Sequence, residues 1–313
     1  MKNQILNLTL VLILLVGLGL LLYPSFSDYW NSFRQSQVIA HYAEDINSIQ
    51  DEQYEVLLQE AREWNADHAN KSLSQGELEA YDRLLDPLGT GMMGYIEIPA
   101  IDCFLAIYHG TSDAVLQIAT GHIEWSSLPV GGEGTHSVIS GHRGLPSAKL
   151  FSDLDGLVIG DMFDVFVLNE TYRYEVDQIN VVLPTDMSDL EIFPGEDYMT
   201  LVTCTPYGIN THRLLVRGKR VETVIDRTLP FTSEAVQINS VVVAAVLSIP
   251  ILLFLIFWVF LRGGRSAARD RERIKRNALE KIRANRSILS EEPSKTKDAR
   301  SSTEKRKKAD RDG

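Results

Sequence analysis

The sequence predicts a mostly β domain, a closed or partly closed barrel, that follows a helical region and is flanked by two transmembrane helices. Short β-rich runs separated by Gly and Pro fill residues 94–220 and indicate the barrel. An apolar run near each end of the chain indicates the membrane helices. The charge distribution is the third observation, because basic residues concentrate behind the second apolar run and acidic residues lie between the two runs.

The first apolar run covers residues 5–22, follows Lys2 and contains no charged residue. At about 1.5 Å per residue it is long enough for a hydrocarbon core of about 30 Å. A cleaved signal peptide is the alternative, but the apolar part exceeds the usual length of about 7 to 15 residues and no A-x-A-like cleavage site follows. We therefore predict an uncleaved membrane span within residues 1–28.

The second apolar run, residues 241–261, contains a single Pro, which membrane helices tolerate, and it predicts a transmembrane helix over residues 238–261. Residues 262–313 carry 18 Lys and Arg against 9 Asp and Glu, and basic segments beside a membrane span stay inside the cell. Both termini are therefore predicted to be cytoplasmic. The segment between the spans, with 12 basic and 33 acidic residues, then faces outward and is long enough for one core.

The basic tail is expected to be a helix near the membrane followed by a disordered segment, because it is rich in charged residues and almost free of aromatic ones. Anionic lipids of the inner leaflet lie beside such a tail and attract it. We therefore expect membrane lipids as its partner and no nucleic acid.

Residues 29–92 form the helical entry to the outward domain. An apolar stripe at spacings of three and four predicts a helix over residues 33–64 that packs on the domain, and a dimeric coiled coil is the alternative that so short a run disfavours. Ser74 and Glu77 have the spacing of a capping box, which predicts a short helix from there. Asp86-Pro87 and the glycines behind it end that helix.

The β-rich region, assigned to residues 93–232, begins at Gly94. The candidate strands are Gly94 to Ile98, Phe104 to Tyr108, His136 to Ser140, Phe163 to Leu168, Tyr172 to Val182, Thr200 to Cys204 and His212 to Val216. Runs of this length and number, without long helices between them, are typical of a barrel.

Residues 200–220 contain the one cysteine with a plausible chemical role. Cys204 ends a predicted buried strand, a turn with Pro206 and Gly208 follows, and the next strand carries Arg213. A thiolate at a strand end could attack a carbonyl, and a neighbouring cation could stabilise the oxyanion. The alternative is a buried structural cysteine beside a surface arginine. Cys103 has the alternating pattern of a core residue, although a bridge to Cys204 stays open.

A base for Cys204 must come from the histidines of the β-rich region, and sequence spacing cannot choose among them. They are His109, His122, His136, His142 and His212. His142 has the most favourable context, because it ends a predicted buried strand between Gly141 and Gly144 and could project into a cleft. A zinc site is disfavoured, since there is no His-x-x-x-His or Cys-x-x-Cys pair.

Four stretches of the outward segment form a combination of motifs: GYIEIPAI at 94–101, SSLPVGG at 126–132, ISGHRGLPSAKLF at 139–151 and TLVTCTPYGINTHRLLVRG at 200–218. Together they resemble class C sortases, the pilus-assembling members of a membrane-anchored cysteine transpeptidase family. The resemblance implies an eight-stranded sortase-type β-barrel at the outer face of a Gram-positive cell membrane. It also implies His142, Cys204 and Arg213 as catalytic residues.

The implied reaction is cleavage of an LPXTG-like sorting signal between Thr and Gly through a thioester, followed by transfer of the pilin to a lysine of the next pilin. No cofactor is required, and pilins that carry such signals are the implied partners. A sortase that anchors proteins to the cell-wall precursor and a membrane scaffold without catalysis are the alternatives, and the second span favours the pilus enzyme.

One departure from the family concerns the lid of pilus-type sortases, which carries an Asp-Pro-aromatic motif. The only upstream Asp-Pro is Asp86-Pro87, which is followed by Leu88 rather than an aromatic residue, so no standard lid is expected.

Overall fold

The computed structural model of the chain describes residues 2–222, 252, 256 and 272–283. Two compact units divide it, Met1–Ile238 and Asn239–Gly313. In the second unit, residues 272–283 form a helix. The second predicted membrane span, residues 238–261, lies outside the described residues apart from Leu252 and Ile256, which are helical.

Four α-helices lie in the first unit: α1 (Lys2–Asn47), α2 (Asp51–His68), α3 (Gln75–Tyr81) and α4 (Asp113–Leu116). The single helix predicted over residues 33–64 is wrong, because α1 ends at Asn47 and α2 starts at Asp51. The Tyr54 hydroxyl reaches back to the carbonyl of Ile46, so α2 packs against the end of α1. The apolar period continues across the break, and periodicity alone therefore cannot detect it. The predicted capping box of Ser74 and Glu77 is present at the start of α3.

Eight strands close into a barrel in the order β1-β2-β3-β4-β7-β8-β6-β5. They are β1 (Met92–Ile98), β2 (Cys103–His109), β3 (Thr120–His122), β4 (Thr135–Ser140), β5 (Met162–Val167), β6 (Glu170–Val182), β7 (Asp197–Thr205) and β8 (His212–Arg220). The pairs β2/β3 and β4/β7 are parallel and the others antiparallel. The predicted barrel is confirmed, and β3 is the strand that the sequence did not predict.

The α1 helix packs one face along the barrel. Gln35, Ile39, Tyr42 and Ile46 are buried on that face, at the three- and four-residue spacings of a helical stripe. The Tyr42 hydroxyl donates to the carbonyl of Met93 and accepts from the amide of Leu168, both at 3.0 Å. Of the described helices, α1 alone has a stretch long and apolar enough to cross a membrane, with a mean hydropathy of 2.3.

Candidate active site

Two parallel strands bring the two halves of the site to one end of the barrel. In the β4/β7 pair, Ser140 lies opposite Val202, so both strands end on the same side. Immediately beyond β4, the Gly141 amide donates to the Val202 carbonyl at 3.0 Å, and the Thr203 hydroxyl donates to the Gly141 carbonyl at 2.8 Å. These bonds hold the backbone that leads to His142 against the backbone that leads to Cys204.

The antiparallel β7/β8 pair places Arg213 directly opposite Cys204. The pocket at this point has a volume of about 140 Å³. Its lining residues are Leu116, Ser140, Gly141, His142, Val202, Thr203, Cys204 and Arg213. The structure thus puts the three residues named from the sequence into one pocket, and each of them is half-buried, which leaves them open to a substrate.

The Arg213 guanidinium is held by backbone rather than by a carboxylate. Its Nη1 donates to the carbonyl of His212 at 3.1 Å and to that of Asn210 at 3.4 Å. No ion pair of Arg213 occurs within the part of the chain that the structure describes. A guanidinium has five N–H donors, so several stay free for a carbonyl or an oxyanion in the pocket.

Arg143, the residue after His142, ties the two halves of the site together, and sequence reasoning missed it. Its Nη1 donates to the Thr205 hydroxyl at 3.2 Å, Nη2 binds the carboxylate of Asp155, and its guanidinium carbon lies 5.9 Å from the centre of the Tyr207 ring. Only 8% of the Arg143 side chain is exposed. Its place beside His142 in the run GHRG was the available signal, but the partners are distant in sequence.

The loop from His142 to Phe151, here the His142 loop, is fastened at several points. The Phe151 amide donates to the His142 carbonyl at 3.1 Å, which closes the loop on itself. Two contacts come from α1: the Ser27 hydroxyl donates to the Ser147 carbonyl at 3.0 Å, and Asp28 accepts from the Lys149 amide at 2.7 Å. The helix that carries the apolar stretch therefore contacts the loop that carries His142.

The other candidate histidines lie outside the pocket. Burial lowers the pKa of His122 to about 4; its Nε2 donates to the Ser127 carbonyl at 2.8 Å, and its Nδ1 accepts from the Tyr81 hydroxyl at 2.9 Å. Burial also lowers the pKa of His136, which lies between the Glu191 carbonyl and the Thr200 hydroxyl.

His109 lies between two carbonyls, those of Gly91 and Leu84. His212 is the neighbour of Arg213 in β8 and so faces the opposite side of the sheet. Among the five candidates only His142 lines the pocket.

Both cysteines are free thiols, so the structure has no Cys103–Cys204 bridge. Cys103 is buried in β2, and burial raises the pKa of its thiol to about 12. Cys204 is half-exposed in the pocket. Within the described residues, no three His, Cys, Asp or Glu side chains are grouped as a metal site would require.

The upstream dipeptide Asp86-Pro87 lies in the turn that leads into β1. The Asp86 carboxylate accepts from the amides of Thr90 and Gly91 at 2.9 and 2.7 Å, and Leu88 packs on the core. Every described residue that lines the pocket comes from position 116 or later. The segment upstream of β1, where a lid would lie, therefore contributes none of the lining described here.

The family model of the Sortase domain matches residues 96–221 of the chain. Sortase A of Bacillus anthracis is 25% identical over 222 residues, which cover 71% of this chain and 97% of that protein.

Solved structures of class C sortases have higher sequence identity to this chain than that protein does, and two are compared with it. Sortase C1 from Streptococcus agalactiae is 50% identical, with a TM-score of 0.58, and the match covers 60% of this chain and 99% of that one. Sortase C from Streptococcus pneumoniae, whose structure was described for its pilin substrate specificity, is 44% identical, with a TM-score of 0.56 and coverage of 60% and 97%.

Proposed function

This chain belongs to the sortase family of cysteine transpeptidases, as a class C member, and from that premise we propose that it polymerises pilins. In this proposal the enzyme cleaves an LPXTG-like sorting signal between Thr and Gly and joins the new carboxyl end to a lysine of the next pilin. The observation that carries it is the open pocket that contains Cys204, Arg213 and His142 together.

Cys204 is the proposed nucleophile. His142 takes the thiol proton, the sulfur attacks the carbonyl carbon of the signal's Thr, and the negative charge that develops on the carbonyl oxygen is stabilised by the free N–H donors of Arg213. His142 then gives a proton to the leaving Gly nitrogen as the peptide bond breaks. The products of this first step are a thioester on Cys204 and the released Gly-led fragment.

The second step reverses these roles. An uncharged lysine amine of the acceptor pilin attacks the thioester carbon, His142 takes a proton from the nitrogen, and the carbon–sulfur bond breaks. An isopeptide bond forms, and the departing thiolate takes the proton from His142, which restores the Cys204 thiol and the neutral imidazole. Electrons balance without an oxidant or a reductant, so the proposal needs no cofactor.

The choice of lysine separates the pilus enzyme from a sortase that anchors proteins to the cell-wall precursor. An amine outcompetes water only if it is docked beside the thioester, where effective molarities can reach about 10⁵ M or more. Support for pilin as acceptor comes from the class C structural relatives, one of which was described for its pilin specificity. Membership of an enzyme family leaves the scaffold alternative without support.

Sortases are membrane-associated, and the apolar stretch of α1 suits an anchor. We propose further that the barrel is outside the cell, that both termini are cytoplasmic, and that residues 238–261 form a second span beside a basic, lipid-contacting tail. The tail's excess of Lys and Arg supports this orientation.

The test uses the full chain in detergent with a candidate pilin that ends in an LPXTG-like signal. We expect a covalent ladder of pilin multimers, and a Lys→Arg change at the acceptor site of the pilin should stop the ladder while the Cys204 thioester is still detected by mass spectrometry. Cys204→Ala should form no thioester, whereas the matched control Cys103→Ala should keep activity. Polymerisation by the acceptor mutant, or only cleaved monomer or cell-wall-precursor adduct from the normal pilin, would favour the anchoring alternative.

A further inference from the structure

The contacts along α1 show which end of the barrel this helix enters. Near its apolar stretch, Ser27 and Asp28 bind the His142 loop. Further along, the Gln35 side chain accepts from the Ala106 amide at 3.1 Å, in the middle of β2. Tyr42 then binds Met93 and Leu168, at the start of β1 and in the turn between β5 and β6. The helix therefore runs from one end of the barrel to the other.

The strand directions identify the end that lies next to the apolar stretch. The His142 loop directly follows β4, and β7, parallel to β4, ends beside it. Arg213, at the start of β8, pairs with Val182 at the end of β6, whereas Leu168, the partner of Tyr42, precedes the start of β6. The end where β4 and β7 finish and β8 begins, here the pocket end, is thus the end that α1 reaches first as it leaves its apolar stretch.

The distance from the apolar stretch is short. The run without charges ends at Leu22. The distance along the helix axis from Leu22 to Ser27, which binds the His142 loop, is roughly 7 Å. Beyond a hydrocarbon core of about 30 Å, the headgroup layer adds about 5 to 7 Å on each side. The His142 loop consequently lies at the outer edge of the lipid headgroups when the run spans the core.

The exposed side chains at this level suit a membrane surface. Tyr23, Phe26, Tyr29 and Trp30 are 54%, 67%, 51% and 50% exposed, although they are large and apolar. Aromatic residues of this kind collect where the hydrocarbon core meets the headgroups, because each ring has an apolar body and a polar edge or tip. They directly follow the apolar run and precede the face of α1 that packs on the barrel.

We propose that α1 holds the barrel with its pocket end against a phospholipid bilayer, so that the pocket opens at the depth of the lipid headgroups. The partner of this surface is the bilayer itself. Resting on the proposed function, the inference sets the height above the bilayer at which a membrane-anchored substrate has to present its cleavage site. In the opposite orientation the pocket would lie about 20 Å further from the bilayer. An extended substrate chain would then need about six more residues between its membrane span and the pocket.

The distance of each end of the barrel from the lipid headgroups can be compared with a fluorescent label placed at one end or the other. In the full chain with Cys204→Ala, the substitution Lys149→Cys labels the His142 loop and Asn169→Cys labels the turn between β5 and β6; both positions are exposed. The bond from position 149 to Asp28 uses the backbone amide, so the substitution preserves it.

The labelled proteins are reconstituted in vesicles of phosphatidylcholine and phosphatidylglycerol that carry nitroxide-labelled headgroups. We expect quenching at position 149 to be several-fold stronger than at position 169, because the nitroxide lies at the depth of the pocket end. Equal quenching, or stronger quenching at position 169, would overturn the orientation.

A second experiment increases the distance between the pocket and the bilayer without changing the residues of the pocket. A seven-residue helical insertion after Leu22 lifts the barrel by roughly 10 Å and nearly preserves the helical phase, and the contacts of Ser27 and Asp28 stay in place. The matched control carries the same insertion after Lys2, on the other side of the apolar run. The probe is a vesicle-anchored substrate with an LPXTG sequence directly outside its span.

Cleavage of the anchored substrate by the lifted enzyme should fall by about tenfold or more relative to the control, since the reactive groups no longer meet. Cleavage of a soluble LPXTG peptide should stay within about twofold of the control, because its access does not depend on height. Unchanged cleavage of the anchored substrate would overturn the inference and leave the proposed function standing. Failure of the unmodified enzyme to cleave the soluble peptide would count against the proposed function, and the quenching experiment would still decide the orientation.

Discussion

At the scale of single residues, Arg213 is distinguished by the donors that it keeps free. Because a lysine has no planar fork, we expect Arg213→Lys to lower kcat/KM for an LPXTG peptide by about 100-fold. The matched control is His212→Ala, on the other face of the same strand, which should stay within a few-fold of the unchanged enzyme. Full activity of Arg213→Lys would mean that a point charge is sufficient and that the fork has no role.

Arg143 acts on the site through its neighbours. We expect Arg143→Lys to lower kcat/KM by about tenfold, because lysine lacks the planar fork that binds Thr205 and Asp155 together, which loosens the contact between the segments that carry His142 and Cys204. The melting temperature should fall only modestly, because Arg143 is buried but its partner Asp155 is half-exposed and keeps the ion pair partly hydrated.

A second variant tests which contact of Arg143 matters. Asp155→Asn leaves the bond from Arg143 to Thr205 in place and should lose less activity than Arg143→Lys. The two variants are compared by peptide cleavage and by melting temperature. An Arg143→Lys protein that melts far below the unchanged protein would make its activity loss a folding effect instead.

At the scale of elements, one buried hydroxyl, that of Tyr42, contributes two of the hydrogen bonds that attach α1 to the barrel. Removal of that hydroxyl in Tyr42→Phe leaves the Met93 carbonyl and the Leu168 amide without this partner. We expect the free energy of unfolding to drop by about 1 to 3 kcal/mol, as measured by urea denaturation of the full chain in detergent. Tyr29→Phe, at an exposed position of the same helix, is the control and should have no measurable effect.

The elements also show where sequence patterns carry information. The capping box of Ser74 and Glu77 and the run from Thr200 to Cys204 are local signals, and both elements formed as predicted. The strand β3 is only three residues long, Thr120–His122, and every one is buried, so it offers no alternation. The break between α1 and α2 falls inside a continuous apolar stripe, and the bond from Tyr54 to Ile46 that packs α2 on the end of α1 is a contact between two helices.

At the scale of the whole molecule, stability should fall in mild acid because of His122. Its pKa is about 4 in the folded state and about 6.5 when unfolded, so between these values the unfolded chain binds a proton that the folded one does not. The stability contributed by neutral His122 is therefore fully present above pH 6.5 and is lost as pH falls toward 4, by up to about 3 kcal/mol.

The prediction can be checked without a substitution. In the folded protein, the NMR signals of the His122 ring should show little protonation between pH 7 and about 5. Urea midpoints of the unchanged protein should fall over the same range. Titration of His122 near its ordinary value would contradict the burial on which the prediction rests.

The barrel could be predicted as a whole because β-rich runs separated by Gly and Pro recur throughout residues 94–220. The site could be predicted only in part. A motif resemblance named His142, Cys204 and Arg213, but the residues alone left five histidines open, because base and nucleophile meet through the β4/β7 pairing. Arg143 stayed hidden for the same reason, since its partners Thr205 and Asp155 are brought to it by the fold.

The burial of Cys103 determines how the enzyme would respond to oxidants. The chain has two cysteines, and the one in β2 is buried and is held in its thiol form by that burial. Peroxide that reaches the pocket would convert Cys204 to a sulfenic acid, and no second thiol of the chain could capture it as a disulfide. Inactivation would then be reversed only by a thiol supplied from outside, and prolonged exposure would carry Cys204 on to the irreversible sulfinic acid.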